Sequence, residues 1–229
     1  GDGHPAPGSH QPRQCQRRRD DRRAFHGFQV LQLGIELVEP GTGQRNLVHG
    51  GTFGALAIGP TGLYAAYSMV SSQPTLRNRV FRFDRLNQVE LARSGQFLSD
   101  TMTPTALLVH PDPAAKRLYV LSGTMSAMNV INAGCGGILD YRPGTVGTVT
   151  ELPAETLATL RTFSVGSVPT SGAVDQSANR LIVGNAGDRT FSVIDLASGA
   201  VVTTARPASF TGCRQPGGMA LDASGRLWV

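Results

Sequence analysis

Residues 169–204 constrain the chain more than any other stretch, because they hold four short β-type runs separated by three turn signals. The turn signals fall at residues 175–179, 184–188 and 197–199, where Asp, Asn, Ser and Gly gather. Such residues set positive φ or bond their own backbone, so they punctuate a chain rather than extend a helix. The runs between them, such as Leu181-Ile182-Val183 and Val193-Ile194, are too short for helices and rich in β-branched residues. The unit therefore predicts a four-stranded antiparallel meander.

The unit recurs. Its first half returns around Leu63, Leu118 and Leu227, which with Leu181 lie 55, 63 and 46 residues apart. Its second half, built on Ile194-Asp195-Leu196, matches segments carrying Glu39, Asp84 and Glu151, with spacings of 45, 67 and 44. A period near 45 with four strands per unit predicts an all-β fold, a β-propeller of four-stranded antiparallel blades. A single blade exposes two apolar faces and must stack on its neighbours, which accounts for unbroken apolar runs in its middle strands. The expected blades are residues 28–49 in part, 51–97, 103–163, 169–206 and 215–229 in part, within a domain spanning 25–229. The final run matches the second strand of a unit, so the expectation is a fragment of a larger propeller. A competing geometry pairs residues 28–49 with 219–229 as one composite blade that closes a four-bladed ring. The acids of the second half are expected to bond backbone N–H groups of the adjoining hairpin turn.

Two stretches carry a family resemblance. Residues 179–188 followed by Val193-Ile194-Asp195 resemble the YVTN-type propeller repeat. Gly218-Met219-Ala220-Leu221-Asp222 with residues 225–229 is similar to repeats of NHL and SMP-30/gluconolactonase-like propellers. The resemblance spans roughly residues 28–229 and implies blade structure, not a site. Within the YVTN resemblance, Asn185 and Asp188 are expected to be turn residues.

Charge sits unevenly. The net +5 divides into +3 from residues 1–26, with six Arg against Asp2, Asp20 and Asp21, and +2 from the remainder. The basic balance therefore belongs mostly to the first segment, and no propeller-wide anion face or nucleic-acid partner is expected. Residues 1–24 are rich in Pro, Gln, His and Arg, with too little apolar surface to offset ordering entropy, and are expected to form a disordered basic tail. The 20 Arg against a single Lys, Lys116, fit a GC-rich bacterial genome better than a nucleic-acid role. No apolar run reaches the length of a membrane span, so no membrane segment is expected.

Propellers bind ligands on one face, at loops joining second to third strands and loops entering each innermost strand. Here those are residues 68–78, 123–148 and 184–190, with 50–54, 98–105, 164–172 and 208–217. The candidate ligand-face residues are Asp100, Asn129, Asn132, Tyr141, Arg142, Asn185, Asp188 and Arg214. Residues 123–148 form the one long insertion, mixing Met125, Met128, Val130 and Ile131 with Gly134-Cys135-Gly136-Gly137 and Tyr141-Arg142. Cys135 and Cys213 both fall on these loops and are a candidate disulfide in an oxidising compartment; with Cys15 they make an odd set without Cys-x-x-Cys spacing. The five His show no zinc spacing, and neither a nucleophile elbow nor a phosphate loop occurs.

The reading is a propeller binding scaffold, periplasmic or secreted, taking an unknown protein or small-molecule ligand at its top face, with no resident cofactor. The alternative is an SMP-30-like lactonase or a lyase. It would need Asp100, Asn129, Asn132, Asn185 or Asp188 to converge on calcium in the funnel.

Overall fold

The computed structural model describes residues 35–38, 45–49, 53–68, 75, 77–85, 89–96, 101–124, 130–132, 138–140, 145–203, 206–207 and 216–229. Among them there is no α-helix. The strands are β1 (Ile35–Val38), β2 (Arg45–His49), β3 (Phe53–Gly59), β4 (Gly62–Tyr67), β5 (Val80–Phe83) and β6 (Glu90–Arg93). They continue with β7 (Met102–Val109), β8 (Arg117–Thr124), β9 (Val130–Asn132), β10 (Ile138–Asp140), β11 (Gly147–Pro153) and β12 (Arg161–Val165). The last are β13 (Pro169–Asp175), β14 (Arg180–Asn185), β15 (Thr190–Asp195), β16 (Val201–Thr203), β17 (Ala220–Leu221) and β18 (Leu227–Trp228).

Three sheets are four-stranded antiparallel meanders, ordered β3-β4-β5-β6, β7-β8-β11-β12 and β13-β14-β15-β16. They are propeller blades, with the first strand of each lying against the first strand of the next. The β1–β2 and β17–β18 pairs are separate two-stranded sheets. The composite blade is therefore not formed by these strands.

Registers confirm the leucine repeat. Leu63, Leu118, Leu181 and Leu227 each pair with the equivalent inner-strand residue: Ile58, Val109, Val174 and Leu221. The turn before each of the last three is tightened by a residue at positive φ: Lys116 at 48°, Asn179 at 50° and Gly225 at 78°. Asp175 and Asp222 brace these turns by accepting bonds from the backbone N–H of Ala178 and Ser224. Both carboxyls are held below the ordinary carboxylate range, chiefly by the hydroxyls of Ser177 and Ser224. His110 takes the equivalent place in the β7–β8 turn, its Nδ1 accepting from the Asp112 N–H at 3.1 Å.

Packing between blades uses both faces of the middle strands. Along β8, Leu118 and Val120 join Tyr64, Ala66 and Val80 of the preceding blade in one buried cluster, whereas Tyr119 and Leu121 join Leu181, Val183 and Ile194 of the next. Alternation at period two sends successive side chains to opposite blades. The Tyr64 hydroxyl also donates to the Ala154 carbonyl at 3.0 Å, a bond between blades.

A second repeat sits at the start of the inner strands. Each carries a register break at the same place: Phe53/Ala55, Pro104/Ala106 and Pro169/Ser171. The extra residue is Gly54, Thr105 or Thr170. The Thr105 hydroxyl shares its proton between the carbonyls of Leu121 and Pro169. The Thr170 hydroxyl donates to the Pro216 carbonyl at 3.3 Å. At the equivalent place a Cβ on residue 54 would stand 2.3 Å from the Pro104 carbonyl oxygen, so glycine is required there. Proline is tolerated at these bulges because no ladder N–H is needed.

Two outcomes are expected. Leu181→Asp places a carboxylate at a site with no solvent exposure and should cost about 3–5 kcal/mol; an unchanged melting temperature would contradict the two-sided burial. Thr105→Val removes the latch while keeping shape and should cost about 1 kcal/mol. Denaturant titration distinguishes that loss from the near-zero change expected of a solvent-facing hydroxyl.

Candidate functional site

Of the expected ligand-face residues, the structure places Asn185 and Asp188 together, on the connection from β14 to β15. Asn185 ends β14 fully buried, and its Nδ2 donates to the hydroxyls of Thr190 at 3.1 Å and Ser192 at 2.9 Å. Asp188 accepts the Ser167 N–H at 2.5 Å. The N–H groups of Ala186 and Gly187 donate to the carbonyls of Val168 and Ser167, both at 2.9 Å. This connection is thus zipped to the chain entering the same blade. A Cβ on residue 166 would stand 2.6 Å from Asn185 Cγ, so Gly166 permits the contact. Asn185 Oδ1 is buried without a hydrogen-bond partner. Both residues act on loop geometry first.

Asn132 closes β9, where its backbone pairs with Ile138. Its side chain lies outside the described residues, as do Asp100, Asn129, Tyr141, Arg142, Arg214 and the cysteines Cys135 and Cys213. Among the described residues, no group of three His, Cys, Asp or Glu side chains stands close enough to hold a metal ion. No described helix is long and apolar enough to cross a membrane.

A charged cluster occupies the opposite ends of the strands, between the second and third four-stranded blades. Glu151 does not brace a turn as its apparent equivalence to Asp195 predicts. Leu152 pairs with Leu118 as Ile194 pairs with Leu181, so the true counterpart of Asp195 is Pro153. Asp195 does brace its turn, accepting from the N–H groups of Ala197 and Ser198, and it is held below the ordinary carboxylate range mainly by Ser198. The two-residue slip puts Glu151 inside the ladder, opposite Tyr119 and Arg161. Its side chain is only 4% exposed.

Burial of that carboxylate requires compensation. Arg117 Nε donates to Oε1 at 3.1 Å and Arg161 Nε to Oε2 at 2.7 Å. Arg161 Nη2 reaches the Leu196 carbonyl of the next blade at 2.8 Å, and its guanidinium lies over the Phe163 ring, 5.2 Å from the centroid. Tyr119, nearly buried, has its phenol pushed up to about 12, first by burial and then by the Glu151 charge. Together with His110, Asn179, Ala115 and Leu196 these groups line a cleft of about 240 Å³. Sequence reasoning missed it, since residues 117, 151 and 161 meet only through register. The available signal was a carboxylate within Val149-Thr150-Glu151-Leu152, an otherwise buried run.

Glu151→Gln leaves two guanidiniums without a counter-charge and should lower stability by about 1–3 kcal/mol. The two arginine side chains are 39% and 37% exposed, so the loss should shrink in molar salt as their interaction is screened. Equal stability of wild type and variant at low salt would show the triad to be dispensable.

No family model matches the chain, and no curated protein matches it. Among solved structures it is similar to hydrazine synthase of Kuenenia stuttgartiensis, at 19% identity and a TM-score of 0.43. That match covers 65% of this chain, which spans 35% of the length of the matched chain.

Proposed function

We propose that this chain is a binding scaffold of the YVTN/NHL-like kind, acting outside the cytoplasm of a bacterium, which takes a protein or small-molecule ligand on the loops joining second to third strands. The observation that carries the reading is the insertion between β8 and β11. Its strands β9 and β10 form their own two-stranded sheet, while β11 keeps an unbroken register with both β8 and β12. An insertion that leaves its blade's ladder intact is free to vary with a partner. Its composition, with Met125 and Met128, several glycines and Tyr141-Arg142, suits an adaptable contact surface. The corresponding connection of the next blade, residues 185–190, is braced by bonds of Asn185 and Asp188.

Replacing residues 126–144 by a short Gly-Asn turn should leave the melting temperature unchanged and abolish capture of partners from bacterial periplasmic extract by the immobilised chain. Capture of the same partners by both proteins would show that the insertion merely covers the blade.

A further inference from the structure

The Arg117–Glu151–Arg161 cluster lies away from the loops of the proposed scaffold site, and its charges do not balance. Two guanidiniums face one carboxylate, which leaves one positive charge. Glu151 accepts through both oxygens, and its bond from Arg117 is made by Nε. Arg161 is committed further, to the Leu196 carbonyl and the Phe163 ring. Arg117 Nη1 and Nη2 make no bond to a described residue.

We propose that this cleft binds the carboxylate of a small organic acid, with Arg117 Nη1 and Nη2 as its bidentate partner. A planar carboxylate matches two parallel N–H donors, and the bond is charge-assisted. Glu151 already holds the Arg117 side chain through Nε, so little further freedom is lost on binding. Two more donors border the space. Tyr119 keeps its phenolic proton throughout the neutral range. His110 accepts the Asp112 N–H at Nδ1, which leaves the proton of the neutral ring on Nε2. Ala115 and Leu196 supply apolar wall. At about 240 Å³ the cleft falls below the 300–1,000 Å³ or so of sites for drug-sized ligands, which fits a small acid and not a nucleotide.

The test is a titration of the isotopically labelled chain with succinate at low ionic strength, read by amide chemical shifts. Saturable shifts are expected at Arg117, Tyr119, Asn179 and Leu196. Arg117→Gln should weaken binding at least tenfold, whereas Arg180→Gln, at the equivalent place in the next blade and outside the cleft, should bind as wild type. Where Arg117→Gln fails to fold, Arg117→Lys keeps the charge, removes the planar fork and should still weaken binding. Absence of saturable shifts, or undiminished binding in the folded Arg117 variant, overturns the site. Inorganic phosphate binding more tightly than succinate overturns the carboxylate assignment.

Discussion

Burial of both faces of the middle strands is the constraint on which the rest depends. In the β7–β12 blade, β8 sends Leu118 and Val120 into one cluster and Tyr119 and Leu121 into another. Each cluster is completed by an adjacent blade, so neither face is satisfied by its own sheet. Apolar burial at roughly 25 cal/mol per Å² is then a property of blade pairs, and stability follows nearest-neighbour terms. The same logic explains where charge is tolerated. Glu151 enters the buried ladder only because Arg117 and Arg161 reach it from the strands on either side.

The bulges at the start of the inner strands set how those strands meet. Thr105 and Thr170 each reach the carbonyl of the next blade's proline, and Gly54 meets Pro104 by close approach instead. The β9–β10 hairpin grows from a blade in which β11 keeps an unbroken register with β8 and β12. On the opposite face, short Asx-braced turns leave less room for variation, and the cleft beside Tyr119 is built from strand residues 117, 119, 151 and 161 together with turn residues 110, 115, 179 and 196.

Much of the fold was legible in the sequence because the hairpins between first and second strands end alike, although they differ in length. Leu118, Leu181 and Leu227 each follow a positive-φ residue by two places, and each pairs with an apolar inner-strand residue, Val109, Val174 or Leu221. The acids were less faithful guides. Asp195 braces a turn, yet Glu151, matched to it by local similarity, stands two residues earlier in the ladder. Spacing cannot reveal such a slip, because the long connection before β11 erases the count. The Pro104, Pro169 and Pro216 series was visible at spacings of 65 and 47, close to the leucine spacings of 63 and 46. Its meaning required the threonine latches. The YVTN-like pattern put Asn185 and Asp188 at a turn; in the structure Asn185 ends β14 and Asp188 lies in the connection to β15, and the bond from the Ser167 N–H to Asp188 depends on a neighbouring loop that no local pattern encodes.

Hydrogen exchange in an Ile194→Ala variant tests the shared-face account most directly. Ile194 belongs to the β13–β16 blade and is fully buried in the cluster that also holds Tyr119 and Leu121. If stability resides between blades, the substitution lowers protection at β8 amides together with those of β14. Loss of protection confined to β13–β16, with β8 unchanged, would show that each blade is stabilised within itself and would contradict the account.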